Sequence, residues 1–280
     1  MPRKIGIIAG GGAMPRLVAK KCMKSGRSPF IAILEGQSSN ENYAQLPHAT
    51  FRIGAIGAII SKLQKEGIKD ITFAGHVRKP TLFDLQPDAW TAAFLAKSRV
   101  FYRGDNSLLS TLITELEKEG FQVHDAENLI PELLAPVGCL TRAVPTTNNK
   151  ADIIIGVNKA LDLGRRDIGQ AVVVSGRNVI AEEDARGTDA MLRDLVNNEL
   201  ATGGVLVKVV KPGQDRRVDL PSIGTKTVNH VSSSKLSGIA LSAGTSLIIE
   251  KAAVIEAANC AGLFVIGLKN DFLDVPTDDY

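Results

Sequence analysis

The first 124 residues alternate two patterns, and that alternation narrows the fold more than any other feature of the chain. Short β-branched, apolar runs at Lys4–Ala9, Phe30–Leu34, Ile71–Ala74 and Phe121–His124 read as buried strands. Between them lie stretches with apolar residues at helical spacing: Pro15–Ser25, Ile56–Glu66 and Leu108–Glu119. In the last of these, Leu108, Leu109, Leu112, Ile113 and Leu116 share one face. Strands alternating with helices predict a parallel sheet covered on both faces.

A stretch with little periodicity, Ile130–Pro145, carries Pro131, Pro136 and Pro145 and is read as a connection between domains. Beyond it the pattern changes. Helices are predicted over Asp152–Gly164, Thr188–Asn198, Lys226–Lys235 and Lys251–Cys260. Strands are predicted over Ala171–Ser175, Asn178–Glu182, Val205–Val210, Ile239–Leu241, Ser246–Ile249 and Leu263–Gly267. Turns at Ser175–Arg177 and Ala243–Gly244 suggest hairpins, which make the second sheet mixed. The expected fold class is therefore α/β. A Rossmann-like nucleotide-binding domain spans 1–130, a proline-containing linker 131–145, and a mixed α/β domain 146–280.

Charge and cysteine content exclude several classes. The 33 basic and 30 acidic side chains leave a net charge of only +3, too little for a nucleic-acid coat, so no nucleic-acid partner is expected. Cys22, Cys139 and Cys260 are odd in number and far apart, which fits neither a disulfide framework nor a zinc knuckle. Reduced, mostly buried thiols and a cytoplasmic location are expected. No apolar run reaches the roughly 18–20 residues of a membrane-spanning helix. The opening residues, basic and then apolar, are interrupted by three glycines and read as a strand entering a turn rather than a signal peptide.

Several segments carry residue types suited to chemistry. Gly10–Gly12 closes the first strand and opens the first helix, where backbone N–H groups can meet a pyrophosphate; a plain tight turn is the alternative. Glu35 stands where a dinucleotide fold holds a ribose hydroxyl, but Pro15 replaces the third fingerprint glycine, which weakens an NAD reading. Gly75, His76, Arg78 and Lys79 leave the third strand and suit either a phosphate or a basic surface loop. Asp105 and Asn106 have the residue types of a helix cap. In the second half, carboxylates stand beside basic residues in two clusters, Glu182–Asp189 and Lys208–Asp219. Such a mixture suits a divalent ion bridging phosphate oxygens, or an ordinary charged surface. Asp219 is the sharper case, a carboxylate between Val218 and Leu220 that needs a partner or a role. Arg16, Lys20 and Lys24, four residues apart, form a basic stripe that suits an anionic membrane surface or simply solvent.

Taken in order, these segments resemble the LpxI family of UDP-2,3-diacylglucosamine pyrophosphatases. The resemblance rests on Lys4–Pro15, Ala74–Pro80, Gly104–Asn106, Val174–Gly176, Arg186–Leu192, Lys208–Asp215, Arg217–Gly224 and Gly262–Gly267, which together cover nearly the whole chain. It implies Mg²⁺-dependent hydrolysis of UDP-2,3-diacylglucosamine to UMP and 2,3-diacylglucosamine 1-phosphate (lipid X) in lipid A biosynthesis. It also implies a nucleotide-binding N-terminal domain, a family-specific C-terminal domain, and acyl chains lying between the two. Contact with the inner-membrane surface and a homodimer follow from the same resemblance.

By carry-over, Asp219 is the catalytic carboxylate, and Asp219, Asp189 and Asp215 are the expected metal ligands. The expected substrate contacts in the first half are Gly11, Gly12, Gly75, His76, Arg103, Gly104, Asp105, Asn106 and Asp125. Those in the second half are Thr188, Asp189, Lys208, Lys211, Gln214 and Arg217. Two other function classes stand beside this one: an NAD-dependent oxidoreductase using Gly10–Gly12 and Glu35, and a non-catalytic UDP-sugar or lipid-binding protein.

Overall fold

The structure is a computed structural model that describes residues 2–38, 40–77, 85–98, 105–212 and 220–269. The main division of the chain into two compact units falls after Pro131.

The N-terminal unit holds strands β1 (Lys4–Ala9), β2 (Ser28–Leu34), β3 (His48–Phe51), β4 (Asp70–Ala74) and β5 (Gln122–His124). All pair in parallel, in the order β3-β2-β1-β4-β5. Helices α1 (Met14–Lys24), α2 (Ile56–Lys65), α3 (Ala89–Ser98), α4 (Asp105–Lys118) and the short α5 (Ala126–Leu129) accompany the sheet. Ile59, Ile60 and Leu63 of α2 and Ile113 and Leu116 of α4 bury against Phe30, Ala32, Ile71 and Val123. Helix α1 packs on β1, β2 and β4 and buries Val18, Ala19 and Cys22. The apolar runs are uninterrupted in β1 and β2 because helices cover both faces of the sheet. The pattern did not reveal β3 or α3. His48–Phe51 is only partly buried, and α3 is apolar around most of its circumference, so neither shows a clean period.

The C-terminal unit is built on β6 (Gly138–Cys139), β7 (Ala171–Ser175), β8 (Asn178–Glu182), β9 (Val205–Lys208), β11 (Gly238–Ser242) and β13 (Phe264–Leu268). The order is β6-β13-β11-β9-β7-β8; β9, β11 and β13 run parallel, and the outer pairings are antiparallel. This is the expected mixed sheet, with one correction. The strands around Ala243–Gly244 do not form a hairpin. After β11 the chain leaves the sheet through Gly244, which has positive φ and donates its N–H to Ala135 O. The following strand, β12 (Leu247–Ile248), pairs in parallel with β10 (Ser222–Ile223) in a separate two-stranded sheet.

Helix α6 (Thr147–Arg165) covers one face of the mixed sheet through Ile153, Val157 and Ala160. Its Gly156 lies so close to β9 that a methyl group there would meet Val207 at 2.5 Å. The opposite face is covered by α7 (Thr188–Asp194), α8 (Thr225–Ser233) and α9 (Lys251–Cys260), which contribute Leu192, Val228, Val231, Val254 and Ala258. The proline-bearing stretch expected as a linker contributes structure to this unit. Gly138–Cys139 is the edge strand beside β13; just beyond the stretch, Thr146 caps α6 in a reciprocal capping box with Asn149. Only Cys22 of the three cysteines is buried, and burial pushes its thiol pKa up; Cys139 and Cys260 are exposed, contrary to the expectation of mostly buried thiols.

Candidate functional site

In the N-terminal unit the strand order reverses at β1 and β4, where the chain runs outward to β3 and then returns to the other side of β1. In open α/β sheets, ligands bind in the crevice outside the C-terminal ends of the strands at such a reversal. Gly10–Gly12 follows β1, and Gly75 and His76 follow β4, so the two sequence motifs meet at this point. Gly10 N–H donates to Ala74 O at 2.9 Å and Gly11 N–H to His76 O at 2.7 Å, an antiparallel bridge between the loops.

The glycines have distinct reasons to be glycine. A methyl on Gly10 would meet His76 O at 2.5 Å and Gly75 O at 2.9 Å, both backbone atoms. One on Gly75 would strike Gly11 O, and Gly75 also has φ +87°. These residues let two backbones touch. Gly12, at φ +86°, meets only the His76 ring, at 3.7 Å, and leads directly into α1. Ala13, the residue before α1, offers no side-chain cap, and Pro15 removes one of the first N–H groups. The remaining N–H groups of the first turn, with the helix's partial positive charge, suit an anion.

Asp125 follows β5 at the same edge of the sheet, as the residue before α5, and accepts a hydrogen bond from Asn128 at 2.9 Å. Asp105 and Asn106 begin α4 rather than preceding it. Arg78, Lys79, Arg103 and Gly104 lie outside the described residues. His124 lies apart from this crevice. Its Nε2 lies 2.5 Å from Asp70, and Arg3 donates two hydrogen bonds to the same carboxylate. Burial alone would raise the Asp70 pKa; hydrogen bonds from Arg3 and His124 outweigh it and hold the group below the usual carboxylate range.

In the C-terminal unit the described candidates are Thr188, Asp189, Lys208 and Lys211. Lys208 and Thr188 come together: Lys208 Nζ donates to Thr188 Oγ1 at 3.0 Å and to Ser222 O at 3.2 Å. Thr188 in turn donates to Glu183 Oε1 at 2.5 Å, and Glu183 Oε2 accepts the Gln170 N–H at 2.7 Å. Asp189 is half-exposed and paired with Lys226 at 2.9 Å. Lys211 pairs with Asp167 at 2.8 Å. Gln214, Asp215, Arg217 and Asp219 lie outside the described residues. The buried role of Glu183 was not foreseen. Its signal in the sequence was indirect, a lone lysine ending the apolar strand Val205–Lys208, which requires a nearby countercharge.

Among the described residues no three His, Cys, Asp or Glu side chains gather around one point. Asp189 is the one described member of the expected metal set and is already paired with Lys226. On its own it does not make a Mg²⁺ site.

Both halves of the chain match models of one family: residues 4–133 match the LpxI N-terminal domain and residues 136–266 the LpxI C-terminal domain. The chain belongs to the LpxI family. It is 39% identical over 274 residues to the UDP-2,3-diacylglucosamine pyrophosphatase LpxI of Caulobacter vibrioides, covering 95% of this chain and 98% of that protein. Among solved structures, it is similar to CobK precorrin-6A reductase at a TM-score of 0.34 and 13% identity, covering 95% of this chain and 88% of that one. The loops Gly10–Gly12 and Gly75–His76 lie in the part matching the N-terminal model, and the buried Glu183–Thr188–Lys208 network in the part matching the C-terminal model.

Proposed function

We propose that this chain hydrolyses the pyrophosphate bond of UDP-2,3-diacylglucosamine, releasing UMP and lipid X for lipid A biosynthesis, with Mg²⁺ as cofactor. The observation that carries the reading is membership of the LpxI family through both domains in order. The crevice at Gly11, Gly12, Gly75 and His76 supports it, because it offers backbone N–H groups and a helix N-terminus to an anionic nucleotide. Arg103, Gly104, Asp105, Asn106 and Asp125 are assigned to the substrate with it. Asp189, Lys211, Gln214 and Arg217 are the assignments from the second half of the sequence.

A pyrophosphate diester carries two negative charges that repel an attacking hydroxide, so basic side chains lower the barrier by neutralising them. Mg²⁺, when bound, supplies further charge neutralisation, with Asp189, Asp215 and Asp219 as its assigned carboxylates. Asp219 is the carboxylate assigned to the transition state, as metal ligand or as the group that orients the water. In this reading the water oxygen joins the phosphorus nearer the sugar, and the bridging oxygen departs with UMP.

No helix among the described residues is long and apolar enough to cross a membrane. The substrate has two acyl tails, and contact with the cytoplasmic face of the inner membrane is assigned to α1. Its Arg16, Lys20 and Lys24 are exposed, opposite the buried Val18, Ala19 and Cys22. Each basic residue near an anionic surface contributes about 1 kcal/mol. A homodimer is the proposed assembly, on family resemblance.

The test is incubation of the purified protein with labelled UDP-2,3-diacylglucosamine, with products separated by thin-layer chromatography. UMP and lipid X in equal amounts with Mg²⁺, and none with EDTA, is the expected result. Bound but uncleaved substrate would instead indicate a binding protein.

A further inference from the structure

Strand β9 is buried along its whole length and ends in Lys208, which is only 8% exposed. An ammonium at such a depth is costly unless it is paired and hydrogen-bonded. Here it is held through a relay: Lys208 donates to Thr188, and Thr188 donates to Glu183, itself buried. The far carboxylate oxygen accepts the Gln170 N–H at 2.7 Å. Gly169 packs against the Glu183 backbone so closely that a methyl there would lie 2.6 Å from Glu183 O. The carboxylate end of the relay is therefore fixed.

Two features indicate what the relay is for. A threonine hydroxyl has one proton, and Thr188 gives it to Glu183, so none remains to donate to a phosphate oxygen. The second acceptor of Lys208 is Ser222 O, at 3.2 Å. Lys208 ends β9 and Ser222 begins β10, so one ammonium ties the strand entering the stretch 209–221 to the strand leaving it. In sequence, that stretch contains Asp215, Arg217 and Asp219.

We infer that Glu183, Thr188 and Lys208 are positioning residues, a buried carboxylate–hydroxyl–ammonium relay that clasps the two ends of the segment carrying Asp219. The inference rests on the reading of Asp219 as the catalytic carboxylate. It moves Thr188 and Lys208 from substrate contact to control of that segment's geometry. A reacting group displaced by about 1 Å loses up to about a hundredfold in rate while ground-state binding elsewhere persists.

The experiment uses four variants of the full chain: Thr188→Val, Thr188→Ser, Lys208→Met and, as a control, Lys159→Met, which breaks only the pair with Glu182 on β8. Two quantities are measured, hydrogen exchange of the peptide spanning 209–223 and kcat and KM for UDP-2,3-diacylglucosamine. Thr188→Val and Lys208→Met are expected to speed exchange about tenfold or more, because each removes two hydrogen bonds that involve a charged group. They should lower kcat about ten- to a hundredfold with KM within about threefold. Thr188→Ser restores both readouts, and Lys159→Met changes neither. A raised KM with unchanged kcat and unchanged exchange would make Thr188 and Lys208 substrate ligands and overturn the inference. If Lys208→Met does not fold, the Thr188→Val and Thr188→Ser pair decides. If the wild-type protein cleaves no substrate, the proposed function fails while exchange still judges the clasp: acceleration in Thr188→Val with rescue in Thr188→Ser supports it, and unchanged exchange rejects it.

Discussion

In the N-terminal unit, Gly10, Gly11 and Gly75 bring two loops together by having no side chains, and the groups left to meet a ligand are the backbone N–H donors in the first turn of α1. In the C-terminal unit, Glu183, Thr188 and Lys208 meet through their side chains, and the backbone only sets their starting points. A backbone-built site tolerates no added volume but is insensitive to charge. A side-chain relay is the reverse: it survives small changes of shape and fails when one donor or acceptor is removed.

Glycine substitutions break that comparison most sharply. Gly75 and Gly187 both have positive φ, +87° and +83°. A methyl on Gly75 collides with Gly11 O, whereas none of the space around Gly187 is occupied within 4 Å. Gly75→Ala is expected to cost more than about 3 kcal/mol of stability and to abolish UMP binding, because backbone strain adds to a clash that cannot relax. Gly187→Ala carries the strain alone, about 1–3 kcal/mol, and keeps UMP binding. Melting curves and UMP titrations of both variants check this. Equal losses in the two would show that close approach of the loops is not what Gly75 provides.

Asp70 gives the smallest effect and tests a side-chain network within the backbone-built unit. Its folded-state pKa is depressed, chiefly by Arg3 and His124 working against burial. The stabilisation is therefore fully present above the unfolded carboxylate value of about 3.9 and is lost as pH falls through the lower folded value. Asp70→Asn is expected to cost about 1 kcal/mol at neutral pH. Its deficit relative to wild type should close as the pH is taken below about 4, as read by chemical denaturation across pH. A deficit independent of pH would mean that packing, not the ion pair, holds Asp70.

The same contrast explains what was legible in the sequence. Gly10–Gly12 and Gly75 were visible as candidates because a gap in side chains at the end of an apolar strand is a local signal. The pairing of those loops was not legible, because it depends on β4 lying beside β1, which the alternation of strands and helices does not fix. The helix positions of α1, α2 and α4 were legible in the sequence, since each has a one-sided apolar stripe. The reading of Ala243–Gly244 as a hairpin turn failed because a glycine turn between two apolar runs looks the same whether the second run rejoins the sheet or pairs elsewhere with β10. Glu183 was hidden for a different reason: its partners Gln170 and Thr188 lie 13 and 5 residues away, Lys208 reaches it only through Thr188, and no local pattern records such a meeting. The edge strand Gly138–Cys139 is two residues long, too short to show a period.

The central claim is that Asp219, in the second half of the sequence, is the reacting carboxylate while recognition of the nucleotide belongs to the loops after β1 and β4. The most direct measurement is kcat and substrate affinity of Asp219→Ala at saturating Mg²⁺, beside a melting curve. The account predicts a fall in kcat of about 10²–10⁴-fold or more with substrate affinity retained or slightly improved and an unchanged melting temperature. Wild-type turnover in Asp219→Ala, or inactivity that accompanies a collapsed melting curve, would contradict it.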